Sequence, residues 1–297
     1  MRLPRAWWPC AVTLAVAGAP AVAGGCSHPQ PVSAIEDKAR RDVPIAICRK
    51  FLAVADNADG GPPKADVYFS AVVPSFRAFA APLDNGAQSC VGEVLSAGAG
   101  PGAMPSVVTA DDLVSATDEN GLQATWLRAF HAGDRIAAGP LALVRPRAAE
   151  LDVYALGEYR GSAKHSRFEL ARLGGVMLLV AHDESCADVK VDTECESSLV
   201  FYVKAGGRLV TAARTPAQRI QFGMMKDIGH VKYRLATDPP AVDARAITIK
   251  EHLSVRDQAD EEVRRVEGDR VFSLQNDGTL APNQDSVWAQ VPVTPAK

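Results

Sequence analysis

Apolar residues in the second half of this chain alternate with polar ones more often than they recur at every third or fourth position. Alternation sends successive side chains to opposite faces of a strand, so the pattern predicts β structure. Ile247-Thr248-Ile249-Lys250 and Leu253-Ser254-Val255-Arg256 show it most plainly, and residues 141–144, 151–159, 176–181 and 231–236 read as further strands. Asn120-Gly121 lies between two such runs, 114–117 and 122–126, and Gly206-Gly207 lies between 199–203 and 209–213. Both arrangements predict hairpins. Earlier in the chain, residues 66–73 read as a strand ended by Pro74, and 107–114 as another. Near the end, Asn276-Asp277-Gly278 turns the chain from 271–274 toward a closing strand at 287–291. Only residues 257–266 have helix-forming composition late in the chain, with a long charged hairpin as the alternative. Many short strands and little helix predict a mainly β fold, an antiparallel β-sandwich or barrel-like architecture.

The first residues follow a different rule. Arg2 and Arg5 precede an apolar stretch of small residues, 11–23, and Ala23-Gly24-Gly25-Cys26 closes it. A basic start, a short apolar core and small residues before a cut are the features of a secretory signal. With Cys26 directly after the small residues, the segment resembles the signal of bacterial lipoproteins, with Ala23 at the place where that motif usually has leucine. The resemblance implies cleavage before Cys26, acylation of its thiol and attachment to a membrane through the N-terminal lipid. Ser27, in place of an aspartate, implies the outer membrane. The alternatives are an ordinary signal cut after Ala21 or Ala23, leaving Cys26 as a thiol, and an uncleaved anchor. Pro9 and Pro20 disfavour the anchor, and no later apolar run approaches the roughly twenty residues of a spanning helix.

The expected organisation is therefore a signal peptide at 1–25, a polar, proline-marked tether at 26–44, a β-rich region at 45–135 and an antiparallel β domain at 136–297. The last two are also compatible with one continuous domain. Residues 117–125, Thr-Asp-Glu-Asn-Gly-Leu-Gln-Ala-Thr, resemble the hairpin of bacterial immunoglobulin-like repeats and imply a β-sandwich without assigning any functional residue.

Export also changes the reading of the cysteines. Of six, Cys10 leaves with the signal and Cys26 is the lipid candidate. Cys48, Cys90, Cys186 and Cys195 remain, and thiols oxidise outside the cytoplasm. Three pairings are open to four cysteines, and proximity favours Cys48 with Cys90 and Cys186 with Cys195. The competing reading of the second pair is a metal site with His182, Asp183, Glu184, Asp188, Asp192 and Glu194. Structural zinc sites, however, space their cysteines more closely, and a calcium loop needs a turn glycine that this loop lacks.

A net charge of −3 with scattered Lys and Arg offers no basic stripe for phosphates, so nucleic acid is not an expected partner. No Gly-x-Ser-x-Gly turn, no His-x-x-x-His pair and no phosphate-cradling glycine loop occurs. The six histidines, His28, His131, His165, His182, His230 and His252, read as surface or core residues, although His230 and His252 lie on strands that pairing could bring together. No catalytic residue, cofactor or metal is assigned. The expectation is a membrane-anchored envelope protein of non-enzymatic, interaction or structural role, whose partners are other envelope proteins or surface polymers. The alternatives are a small-molecule or metal-ion binding lipoprotein and an extracytoplasmic hydrolase.

Overall fold

The computed structural model describes residues 43–52, 63–84, 86–96, 100, 102–187, 189–190, 193–291 and 294–295. The signal, Cys26 and most of the tether lie outside them. The fold is mainly β and sandwich-like, and its sheet is not closed into a barrel. In chain order the elements are β1 (Lys50–Phe51), α1 (Ala65–Val72), β2 (Met104–Pro105), β3 (Leu113–Thr117), β4 (Gln123–Leu127), β5 (Phe130–Ala132), β6 (Ile136–Arg147) and β7 (Glu150–Ser162). They continue with β8 (Ser166–Leu173), β9 (Val176–Asp183), β10 (Cys195–Ala205), β11 (Arg208–Met225), β12 (Gly229–Thr237), β13 (Ala241–Val242), β14 (Ile247–Arg256), β15 (Glu262–Leu274), β16 (Leu280–Pro282) and β17 (Thr294–Pro295).

Two antiparallel ladders make the frame. One runs β3–β4–β6–β7. The other runs β8–β9–β10–β11 and continues through the far half of β11 into β12, β14, β15 and β16. β11 hands over between partners around Pro216: the register with β10 slips there, pairing with β12 begins at Gln218, and Gln218, Arg219 and Ile220 pair with β10 on one edge and β12 on the other. Proline has no N–H to give a ladder, and a bulge bends the strand that carries it. The two ladders meet at a single parallel bridge, Leu156 opposite Arg208. Gly157 permits that approach, since a Cβ there would come within 2.7 Å of the Leu209 carbonyl oxygen.

Alternation gives each ladder two apolar faces. Between them lie Trp126, Tyr159 and Phe168, packed edge to face, with Leu141, Leu179 and Tyr202. The other face of β6 and β7 is covered by α1 and the loops that follow it, through Phe69, Val72 and Phe76. The other face of β8–β10 packs against β14–β16, where Phe201 meets Phe272. A smaller cluster of Tyr233, Leu253 and Val287 closes the far end.

The Asn120-Gly121 turn forms as expected: Gly121 takes a positive φ of 74°, and the Asp118 carboxylate accepts from the N–H groups of Asn120 and Leu122. Residues 257–266 belong to the charged hairpin of β14 and β15 and contain no helix. Three expectations are corrected. The stretch 66–73 is helical as α1 up to Val72: its two polar residues, Asp66 and Ser70, fall four apart on one side, and Val67, Tyr68, Phe69, Ala71 and Val72 are buried. Asp66 in the first turn of α1 complements the helix dipole. In 107–114 the strand begins only at Leu113, because a 3₁₀ turn at Ala110–Asp112 is locked by a reciprocal cap between Thr109 and Asp112. The closing segment is also a 3₁₀ turn, Val287–Gln290, with the Ser286 side chain accepting from the Trp288 N–H.

Two disulfides are present, Cys48–Cys90 and Cys186–Cys195. They mark a chain that matures in an oxidising, extracytoplasmic compartment. By loop-closure entropy the first, closing the longer loop, stabilises by about 4 kcal/mol and the second by about 3 kcal/mol. Replacing each pair by serine should therefore lower the urea midpoint more for Cys48/Cys90 than for Cys186/Cys195, and the reverse order would contradict this account.

A fully buried carboxylate stands inside the frame. Glu251 points to the same face of β14 as Ile249 and Leu253 and is fully buried. Its Oε1 lies 3.1 Å from Arg270 Nη1, and its Oε2 accepts from Ser286 Oγ and the Val287 N–H, each at 2.8 Å. Arg270 Nη1 also donates to Thr215 Oγ1 at 2.7 Å, tying β15 to β11. Removing one partner of such a pair leaves the other buried and uncompensated. Glu251→Leu should cost about 3–5 kcal/mol of unfolding free energy, and Glu251→Leu with Arg270→Met should recover most of it. Equal losses in the single and double variants, measured by urea unfolding, would refute the pairing.

Candidate functional site

A wide opening lies where the two ladders part. Beyond Leu156, β7 pairs only with β6, and the first half of β11 pairs only with β10, so their facing edges diverge. The gap is a cleft of about 880 Å³. Tyr159, Val200, Tyr202 and Leu209, all core residues between the ladders, form its floor. Its rim is charged: Glu158 and Arg160 flank Tyr159 on β7, Arg208 and Arg214 come from β11, and Glu93 comes from the loop after Cys90.

Strand alternation explains the arrangement, since Tyr159 turns inward while its neighbours Glu158 and Arg160 face out. Exposed main-chain groups on the β7 edge are taken up by side chains. Tyr202 Oη donates to the Glu158 carbonyl at 2.9 Å, and the Asp183 carboxylate accepts from the Ser162 N–H at 2.9 Å. Arg214 donates to Ser198 Oγ at 2.8 Å and lies 3.7 Å from Asp183. Arg208 pairs with Glu93 across the mouth. Arg160 lies over Gly100, where a Cβ would come within 2.5 Å of its Nη1.

Burial pushes the Tyr202 phenol up to about 12 and Tyr159 higher still, so both are neutral hydrogen-bonding groups at ordinary pH. Desolvation, and then the nearby Glu93 charge, raises the Glu158 carboxyl. The cleft thus offers guanidinium donors, two carboxylates and two neutral phenols around an apolar floor. That set can hold a polar or charged ligand by hydrogen bonds. The aliphatic hydroxyl in its lining belongs to Thr211, whose side chain hydrogen-bonds with Tyr202.

A second, smaller cleft of about 290 Å³ lies beside the Cys186–Cys195 loop, between the ends of β9 and β10 and the connection from β12 to β13. The residues weighed as an ion site separate here. His182 Nε2 meets Glu169 Oε2 at 3.1 Å, Glu184 pairs with Arg167 at 2.7 Å, and Glu194 accepts from the Phe222 N–H at 3.0 Å. Asp183 turns to the Ser162 side, and Asp188 and Asp192 lie outside the described residues. Among the described residues no group of three or more His, Cys, Asp or Glu side chains could hold a metal ion. His230 and His252 are not brought together, because His252 faces Ala236 in the ladder while His230 faces Met224. His252 instead lies 3.3 Å from Asp238 and 3.4 Å from Glu267. His131 lies 3.6 Å from Asp112, and His28 falls outside the described residues.

No protein-family model, curated protein or solved structure matches this chain. The seam arginines were not singled out from the sequence. Glu158-Tyr159-Arg160 could have been read as two outward charges about an inward aromatic, but only the fold brings Arg208 and Arg214 opposite them.

His182 carries a pH dependence. Its imidazole is held below the ordinary histidine range, by burial first and the Arg167 charge second, against the smaller opposing pull of Glu169. The folded chain therefore binds that proton less readily than the unfolded chain. Stability should be unaffected above about pH 7 and fall as pH drops below roughly 6.5, the unfolded value. Urea midpoints should decline between pH 7 and 5 more steeply in the wild type than in His182→Gln, and parallel slopes would exclude this residue as the cause.

Proposed function

We propose that this chain is an exported envelope protein, acylated at Cys26 and held at the outer membrane, whose β body is a non-enzymatic interaction module for envelope proteins or surface polymers. The observation that carries this reading is the disulfide Cys48–Cys90, which braces the first described residues, just beyond the predicted tether, to the loop after α1. An oxidised staple at that place suits a body that works outside the cytoplasm at the end of a short leader. The lipobox-like Ala23-Gly24-Gly25-Cys26 supplies the anchor.

Wild-type protein grown with labelled palmitate should incorporate the label, and Cys26→Ala should not. Equal labelling of the two would refute the anchor.

A second reading, a small-molecule binding lipoprotein, is favoured by the seam cleft, where Arg160, Arg208 and Arg214 ring a floor of neutral phenols and aliphatic side chains. In that reading the same body presents a pocket as well as a surface.

A further inference from the structure

The end of the body nearest the tether leaves apolar side chains in water. Val43, Ile47 and Phe51 are 70%, 74% and 73% exposed, among the most exposed large apolar residues described. They are not scattered. Ile47 precedes Cys48, whose partner Cys90 precedes the exposed Val91. Glu93, next along, pairs with Arg208 at the start of β11, two residues before the exposed Val210. The Ile45 side chain packs on Gly207, between β10 and β11, and the Leu52 N–H donates to Ala149 in the turn between β6 and β7. A disulfide, an ion pair and these close contacts gather the start of the chain, the loop after Cys90 and two hairpin turns at one end. Lys50 is exposed there and pairs with no carboxylate among the described residues. Exposed apolar patches of this kind mark surfaces that something covers.

We propose that this end is a membrane-docking face: Val43, Ile47, Phe51 and Val91 enter the interface of a phospholipid bilayer, with Lys50 among the headgroup phosphates. The inference rests on acylation of Cys26. Sixteen residues, 27–42, separate Cys26 from Val43. They span about 55 Å at full extension and about 20–24 Å as a flexible coil. A tether that short keeps this end, before any other part of the body, within reach of the membrane. It also gives the contact a high effective concentration, so apolar side chains too few to bind free vesicles suffice once anchored. A lone cation beside aliphatic and aromatic tips suits the interface, where apolar groups face acyl chains and ammonium groups face phosphate.

The test places a reporter on the face. Full-length acylated protein carrying Phe51→Trp is reconstituted into phosphatidylethanolamine–phosphatidylglycerol vesicles with or without bromine on the acyl chains, and wild type supplies the background from native tryptophans. Docking predicts roughly twofold lower reporter emission in the brominated vesicles, because contact with the acyl region brings the indole to the quencher. Ile47→Trp serves as an independent reporter. Unchanged emission for both overturns the docked face, and so does a blue-shifted but unquenched signal, which would show a protein covering the patch. Palmitate content is measured on the same samples. Its absence overturns the anchor and the docked face that rests on it, while unquenched emission from acylated protein overturns the face alone.

Discussion

Strand β11 serves two sheets, and the rest of the fold depends on how it does so. Its first part extends the β8–β10 ladder and its far end opens the β12–β16 ladder, with Gln218, Arg219 and Ile220 paired on both edges just beyond the Pro216 register slip. β14–β16 lie over the outer face of β8–β10, where Leu178 and Phe201 are buried and Phe201 meets Phe272. One edge of the same strand is taken by β10, and the other meets β7 only at Arg208 and β12 only from Gln218 onward. The seam cleft lies along the stretch between, which supplies Leu209, Val210, Thr211 and Arg214 to it.

Two of the charges buried inside this frame, Glu251 and Asp152, gather groups from several elements. Glu251 links β14 to Arg270 and to the 3₁₀ turn at Val287, and Arg270 reaches on to Thr215 of β11. Asp152, almost fully buried, takes Arg49 from the start of the body at 2.8 Å and Arg147 from across the β6–β7 turn at 2.9 Å. Buried pairs of this sort add little net stability over apolar packing, but they penalise any arrangement that leaves one partner unmet. Here they select which loop lies on which strand. Arg49 and the Cys48–Cys90 bond together fix where the first described residues enter the body.

That geometry connects the two surfaces weighed for function. Val94 and Val210 belong both to the wall of the seam cleft and to the set of exposed apolar residues near the tether. A body docked through that end would hold the cleft mouth close to the membrane, so a ligand of the cleft would be met at the bilayer surface. The Cys186–Cys195 bond belongs to another part of the fold, where Glu184 pairs with Arg167 and Glu194 accepts from the Phe222 N–H.

Local pattern was sufficient wherever a structural choice depends on neighbours in sequence. Alternation announced β14, Asn-Gly and Gly-Gly announced their hairpins, and an exported set of four remaining cysteines announced disulfides. It failed where the period was hidden or the partner distant. In residues 66–73 only Asp66 and Ser70, four apart, mark a helical side, and so short an apolar run reads equally as strand or buried helix until a sheet face is present to receive α1. Residues 257–266 have helical composition, yet pairing with β14 outweighs intrinsic preference. The closing 287–291 segment has strand-like residues but is turned by the Ser286 cap and by the Glu251 oxygen that binds Val287. The sequence by itself thus determined the β class, the turns and the chemistry of the cysteines, because those are set by bonds and torsions within a few residues. Only the tertiary structure decided the cleft, the buried charges and the apolar end, because each is made by residues tens of positions apart whose meeting depends on where one long strand bends.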